Sequence, residues 1–514
     1  MASIILAAIN AKWIHPSLAL RLLKANLGAL QDQCEILEFA LRQPMNEKTR
    51  PLLAARPSIL GLSVSIWNHL ATVELLEALE KEWLANGKPP QRPVVVLGGP
   101  EVTWLPEDAE IFRHADFVIR GEGEEGFRSL CHEILRGDYR RNENTGAVFI
   151  NPAAVSLNEI DLPYRLYTDE ELRRKLVYVE SSRGCPFACE FCQGSIGPRS
   201  IRPQGSIGPS NLRAVREFPL EAFLAEMETL IGRGARTFKF LDRTFNLDTG
   251  RAVKIMDFFL EKIDAVEMFH VKHSSKEKPF CVHFEMVPSP ALFPPPLKET
   301  LRRFPPGTLR LELGIQTLNR DTAALINRPG KSRSAENQAP EELETLKFLR
   351  AETNAIIHAD LIAGLPNEGL ASFGEGFDSL WQTLSDSASP FDKPFEIQLG
   401  ILKCLPGTPF GTPIARHNDT HKMRHSPEPP YEVIETGALP AAELARLKNF
   451  ARFWELIVNR NPFPDLLPGL LPPGKPVFDR FMNLSDKLLE TLGRNWGIDR
   501  MELRAQFMLY SLHE

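Results

Sequence analysis

Short apolar runs alternate with spans of helical periodicity along most of this chain, and that alternation constrains the fold more than any other feature. Residues 3–9 (SIILAAI), 34–41 (CEILEFAL), 59–67 (ILGLSVSIW), 93–99 (PVVVLGG) and 116–124 (DFVIRGEGE) read as strands. Between them, 17–30, 69–85 and 124–136 carry apolar residues at helical spacing. A strand that is apolar along its whole length is covered on both faces, and intervening helices supply the covers. Residues 1–150 are therefore predicted to form a doubly wound, Rossmann-like parallel sheet, which binds ligands beyond the carboxyl ends of its strands.

The alternation resumes downstream. Strand candidates are 177–181 (VYVES), 237–242 (TFKFLD), 281–286 (CVHFEM), 309–317 (LRLELGIQT), 355–364 (AIIHADLIAG) and 395–403 (FEIQLGILK). Six strands with helices between them suit a partial (β/α)6 barrel over 177–409, with its chemistry at the strand C-termini. Residues 151–176, with Pro152, Pro163 and the charged run DEELRRK, read as a linker. In the tail, 417–430 is polar and loop-like, and 440–458 and 478–493 read as amphipathic helices. Residues 410–514 are thus expected to be a helical C-terminal domain, with Phe450, Phe453 and Trp454 in its core. GSIGPRSIRPQ (194–204) is followed at once by GSIGPSNLRAV (205–215), a duplication that reads as a loop insertion beside the cysteines.

The composition is that of an ordinary soluble chain: 514 residues, 43% hydrophobic, 25% charged. The net charge of −6 lacks the basic surplus of a nucleic-acid-binding domain. The apolar start is too short to cross a bilayer and lacks the flanks of a signal peptide. No membrane partner and a cytoplasmic location are expected. Cys34, Cys131, Cys281 and Cys404 stand singly, which is no disulfide framework.

The other three cysteines fall within SSRGCPFACEFCQGS, at Cys185, Cys189 and Cys192, just after the first strand of the second series. Zinc commonly takes a second ligand pair downstream, and no second CxxC follows. Thiolates in a short run also hold iron–sulfur clusters. Three thiolates leave one iron of a cubane open for chemistry. The motif C-x3-C-x-Phe-C, with Phe191 before the third cysteine, resembles that of the radical S-adenosylmethionine (SAM) superfamily. The resemblance implies a [4Fe–4S] cluster whose open iron binds SAM, and a 5′-deoxyadenosyl radical made on its reductive cleavage. It implies that Phe191 packs near adenine and that Asp242 pairs with the SAM ammonium. Glu285 and Gln316 fall at positions near the ribose or carboxylate. Ile362 would touch adenine, with Gly364 permitting close backbone approach. The plainer reading of these polar residues is that they satisfy one another inside the barrel mouth. Arg328 is either a reach to the SAM carboxylate or a solvated helix-end residue.

GEGEEG (121–126) matches G-x-G-x-x-G, but Glu122, Glu124 and Glu125 would repel a pyrophosphate, which argues against a dinucleotide. GLSVSIWN, LGGPEVTW and RGEGEEG instead resemble, in that order, the cobalamin-binding domain that precedes many radical SAM barrels. Ser63, Ser65, Gly98, Gly99, Gly121, Glu122 and Gly123 are the implied cofactor-binding positions. The alternative is an apo domain whose glycines only make turns. The D-x-H-x-x-G motif of many cobalamin domains is absent. His15 is the one nearby histidine, a cobalt ligand or a helix-start residue.

The arrangement resembles B12-binding radical SAM proteins with a C-terminal helical domain. It implies a cobalamin-dependent enzyme, most simply a methyltransferase acting on an unactivated carbon or phosphorus centre. It also implies a small-molecule or unknown substrate and an electron donor such as flavodoxin or ferredoxin. A redox rearrangement or cyclisation without methyl transfer is the second reading, and a non-catalytic zinc-stabilised binding module the reading from another class.

Overall fold

A computed structural model describes residues 2–85, 92–139, 146–196, 215–273, 279–328, 340–385, 394–411 and 416–513. Most of the duplicated GSIGP segment lies outside the described residues. The chain forms two compact units: Met1–Pro186, Gln193–Asp242 and Glu428–Pro430 in the first, and Phe187–Cys192, Arg243–Pro427 and Tyr431–Glu514 in the second.

The first unit holds strands β1 (Ile4–Asn10), β2 (Cys34–Ala40), β3 (Ile59–Ser63), β4 (Val94–Gly98), β5 (Phe117–Ile119) and β6 (Val148–Ile150). They form one parallel sheet in the order β2-β1-β3-β4-β5-β6. Two apolar clusters cover its faces. Ile5, Ala7 and Leu62 face one, while Ile4, Leu6 and Val96 face the other. Helix His69–Ala85 spans the predicted residues, and helix Glu124–Arg136 does too. Strand β6 was not foreseen, because three residues are too few to show a period.

Residues 151–176 carry more structure than the linker reading allows. Helix Asp169–Arg174 starts with a capping box in which Thr168 and Glu171 exchange side-chain and backbone hydrogen bonds. Thr-x-x-Glu is the sequence signature of that device. Glu171 then ion-pairs with Arg21 at 2.6 Å, and Arg21 also holds Glu38 at 2.9 Å. The segment is thereby fastened to its own unit by a buried charge network.

The first unit continues with β7 (Val177–Val179), β8 (Ser182–Arg183), β9 (Arg216–Glu217) and β10 (Thr237–Phe240). Strand β10 pairs parallel with β7, and β8 with β9 antiparallel. In the second unit β11 (Cys281–Met286), β12 (Leu309–Gln316), β13 (Ile356–Ala363) and β14 (Phe395–Ile401) form consecutive parallel ladders. Burial alternates residue by residue in β11, β12 and β13, so one face is packed and the other carries mostly half-buried, largely polar side chains.

The tail packs against the barrel-type elements of its own unit. Phe450, Phe453 and Trp454 are in the core, as their spacing predicts. Trp454 meets Phe377 and Trp381 of helix Leu370–Ser385 edge-on at 4.8 and 5.7 Å. A Cβ on Gly374 would stand 2.6 Å from Phe478, so glycine lets helix Phe478–Leu492 approach. Asp378 Oδ1 accepts from the backbone N–H groups of Val477 and Phe478 at 2.6 and 2.8 Å and caps that helix from outside. Within 417–430, read as loop, the structure contains helix Arg416–Thr420 and the end strand Arg424–His425. Among the described residues no helix is long and apolar enough to cross a membrane.

Candidate functional site

At the carboxyl edge of the first sheet, the ends of β3, β4 and β5 bring Ser63, Ser65, Gly98, Gly99 and Gly121 onto neighbouring loops. Gly99 has φ 109° and ψ 173°, a region open essentially to glycine alone. A Cβ there would lie 2.5 Å from the Val64 carbonyl oxygen. Gly121, also at positive φ, has no atom within 4 Å of a Cβ position, and Gly98 only the Ile119 carbonyl at 3.7 Å. These loops therefore offer bare backbone, a surface that suits a bulky nucleotide tail. Gly123 precedes helix Glu124–Arg136 as its N-cap.

Two residues missed in the sequence hold this edge together. Buried Asn68 accepts from the Ser65 N–H at 2.7 Å and donates to the Ile9 and Ser63 carbonyls at 2.9 and 3.1 Å. Thr103 donates from Oγ1 to the Gly99 carbonyl at 2.8 Å and accepts from the Gly121 N–H at 3.1 Å. An asparagine five residues past a strand end was a usable signal for such a knot.

The acidic loop differs from its sequence reading. Glu122 is bound by Arg216 and accepts from the Val155 N–H at 3.0 Å. Glu124 holds Arg183 at 2.7 Å. The expected repulsion is thus largely neutralised within the unit, and Glu122 serves as an anchor for Arg216. His15 takes part in a 2.8 Å contact from Nδ1 to the Tyr178 hydroxyl, and burial lowers its pKa.

Arg183, two residues before Cys185, also donates to Glu180 through Nε and Nη2 at 3.0 and 2.8 Å. These contacts fix the approach to the cysteine loop. Asp242 is 1% exposed. Its carboxylate accepts from the Ser181 N–H at 2.9 Å, the Ser181 hydroxyl at 2.7 Å and the Ser182 hydroxyl at 2.6 Å. Burial pushes its carboxyl above the usual range despite those three donors. In this structure Asp242 ties the end of β10 to the chain entering the cysteine loop; it does not present a bare carboxylate to an ammonium. In the second unit, Asn246 of the same LDRTFN stretch is fully buried and bonds both polar groups of Val287 at 3.0 Å.

None of the seven cysteines is in a disulfide. Burial pushes Cys281 up to about 11 and Cys34 and Cys404 to about 12, with Cys131 higher still, so these four stay protonated. Within the second unit, the Cys192 N–H donates to the Cys189 carbonyl at 3.2 Å. Burial raises the Cys189 pKa, the Arg328 guanidinium lowers it, and Cys192 is near enough to raise it again. Phe191 and Cys192 are half-buried. Cys185, half-buried, belongs to the last stretch of the first unit before Phe187.

Arg328 is not a solvated helix-end residue. Its Nη1 donates to Cys189 Sγ at 3.7 Å, and its Nη2 donates to the Gly314 carbonyl. A Cβ on Gly314 would sit 2.5 Å from the Gln316 amide nitrogen and 3.2 Å from Arg328 Nη2, so glycine makes room for both. Gln316 ends β12 at φ 68°, beside an irregularity in the pairing with β13. Left-handed backbone at a non-glycine strand end is an unusual feature that often marks functional sites. Glu285 is half-buried at the end of β11, 3.8 Å from Arg243. Ile362 is half-buried near the end of β13, and Gly364 follows at φ 87°.

Among the described residues, no three His, Cys, Asp or Glu side chains gather around a single ion position. Zinc draws all its ligands to about 2.0–2.3 Å of one centre, and the cysteine loop does not present that arrangement. An iron–sulfur cluster distributes its thiolates over several irons. Three thiols on one short loop, with Cys189 receiving a cationic N–H, are the donor type such a cluster takes, and the bare glycine edge suits a corrinoid.

Comparison with known proteins agrees with both halves. The B12 binding domain family matches residues 4–131, and the Radical SAM superfamily matches 179–379. TokK, a cobalamin-dependent radical SAM methyltransferase of Streptomyces tokunonensis, is 24% identical over 434 residues, which cover 79% of this chain and 54% of TokK. An uncharacterized methyltransferase of Pyrococcus horikoshii, PH0819, is 31% identical over 178 residues, covering 31% of this chain and 36% of its own. The chain thus spans about half or less of these relatives' length. The structure of OxsB, a cobalamin-dependent SAM radical enzyme with aqua-cobalamin bound, superposes with a TM-score of 0.63 over 99% of this chain and 80% of that one, at 15% identity. That likeness bears on the fold.

Proposed function

Because this chain belongs to the B12-binding radical SAM proteins, we propose that it is a cobalamin-dependent methyltransferase that cleaves SAM reductively at a [4Fe–4S] cluster. The target is an unactivated carbon or phosphorus centre of a small molecule. The observation that carries this reading is one chain that joins a parallel sheet with a bare glycine edge to a three-cysteine loop with an arginine on Cys189 Sγ.

Cys185, Cys189 and Cys192 are proposed as the cluster ligands. Bound together, the three groups supply an electron, a carbon-centred radical and a methyl group. The chain's own residues do the rest. Arg328 offsets negative charge at Cys189 and fastens it to Gly314 on β12. Phe191, Gln316, Ile362 and Gly364 are proposed to line the SAM site, with Glu285 at its polar edge. Asp242 acts one step back, by holding Ser181 and Ser182. Ser63, Ser65, Gly98, Gly99, Gly121, Glu122 and Gly123 form the corrinoid edge, with Glu122 acting through Arg216. Domains at 1–150, 177–409 and 410–514, with 151–176 fastened to the first unit, are proposed, as are a flavodoxin- or ferredoxin-type reductant and a cytoplasmic setting.

Anaerobic purification and reconstitution test the reading. Iron, sulfide and a corrinoid should copurify, and SAM with a reductant should give 5′-deoxyadenosine and S-adenosylhomocysteine. Cys189→Ala should abolish both products. One zinc without sulfide would overturn it in favour of a binding module. 5′-Deoxyadenosine without S-adenosylhomocysteine would transfer the assignment to a radical rearrangement or cyclisation.

A further inference from the structure

Glu190 lies between the second and third cysteines, on a loop where a carboxylate would be expected in water. It is 6% exposed. Its backbone N–H donates to the Ile326 carbonyl at 3.1 Å. Its Oε1 accepts from Asn327 Nδ2 at 2.7 Å, and its Oε2 lies 2.6 Å from His417 Nε2. His417 is 1% exposed and stacks on Phe410 at 4.4 Å and on His421 at 5.5 Å. Its ring is therefore fixed in plane as well as in hydrogen bonding.

The partners come in register. Ile326 and Asn327 hold Glu190, and the next residue, Arg328, holds Cys189. Three successive residues thus grip two successive residues of the cysteine loop. His417, 227 positions away in sequence from Glu190, closes the grip from the tail side. Asn327 reaches Glu190 from a left-handed backbone, φ 52°, a conformation asparagine tolerates. A buried carboxylate is costly unless its lone pairs are used, so the loop cannot shift without breaking several bonds together.

We propose that Asn327 and His417 are positioning residues that clamp Glu190 and so set the spacing of Cys189 and Cys192 for the cluster. The inference rests on the reading of those cysteines as cluster ligands. Groups that orient metal ligands typically matter 10–100-fold in metal affinity when removed. The clamp therefore acts on cluster retention, before any turnover.

The test uses the full chain, reconstituted anaerobically, and follows iron release to EDTA and the line widths of the reduced cluster's electron paramagnetic resonance spectrum. Glu190→Ala should release iron on the order of 10–100-fold faster than wild type and broaden the signal. Glu190→Gln keeps an acceptor for Asn327 and should restore most of the retention. Asn327→Gly deletes one hydrogen bond while easing the left-handed backbone, so it should fold, and should release iron about tenfold faster. His417→Ala should behave alike. Wild-type release rates in both Glu190→Ala and Asn327→Gly, with cluster present, would overturn the clamp alone. If Glu190→Ala does not fold, Asn327→Gly decides. Absence of iron and sulfide from wild type would overturn the cluster reading, and the clamp with it.

Discussion

The strands of the two units bury their side chains differently. In the first sheet β1 is buried from Ile4 to Ile9, and β3, β4 and β5 are buried along nearly their whole length. In β12 and β13 every second residue is only half-buried, and most of those are polar: Arg310, Glu312, Gln316, His358 and Asp360. The first sheet leaves chemistry to its edge, because both faces are filled with hydrocarbon. The ladders of the second unit hold polar chemistry on a face. Across β12, β13 and β14, His358 bonds Asp360 at 3.1 Å and Glu396 at 3.0 Å, and Arg310 bonds Glu396 at 3.1 Å. Glu396 lies beside His358 in the parallel register of β13 and β14, which brings the two side chains onto one face.

The sharpest way to break this contrast is to delete one member of that network. Glu396→Ala should cost about 2–4 kcal/mol in denaturant unfolding, since it leaves His358 and Arg310 short of a carboxylate. A loss below about 0.5 kcal/mol would show that the face behaves as solvated surface. At the first sheet's edge the sensitive element is backbone. Gly99→Ala should cost about 1–3 kcal/mol from its positive φ alone, with the Val64 clash added, and should lower corrinoid bound per chain.

Opposite pH dependences should separate the units next. Burial alone would lower the His358 pKa, but its bonds to Asp360 and Glu396 raise it from 6.5 to about 10. A raised folded-state value means stability fully present below about pH 6.5 and lost as pH rises through about 10. The stability gap between wild type and His358→Gln should therefore narrow from pH 6 to pH 10. His15, lowered by burial and by Lys12 and Lys239, has the reverse sign. Its contribution is present above pH 6.5 and falls away as pH drops below it. Unfolding midpoints of His15→Gln against wild type between pH 5 and 8 would show it. The smallest expected effect is Asp378→Ala, about 1 kcal/mol by thermal unfolding, from two lost capping bonds.

Much of this is legible in the residue order. The strand runs fall where continuous or alternating apolar residues put them, since strand periodicity is a local property. The capping box at Thr168 and Glu171 was legible too, although proline and charge made its segment read as linker. Asp242 shows the limit. A lone acid at a strand end looked available to a cation, and only the fold brought Ser181 and Ser182 onto it. Arg328 shows the reverse, a helix-end arginine that the fold turns onto a cysteine.

The residue order alone determined the parallel α/β plan, the trio of closely spaced thiols and the glycine-rich strand ends, because each is written in spacing over a few neighbours. Only tertiary structure decided which polar groups are consumed and which are offered. Glu190 and His417 carry no local mark of each other; burial and a contact across 227 positions of sequence make them a pair. A hydrogen bond depends on where two atoms end up, and for distant residues the folded chain decides that.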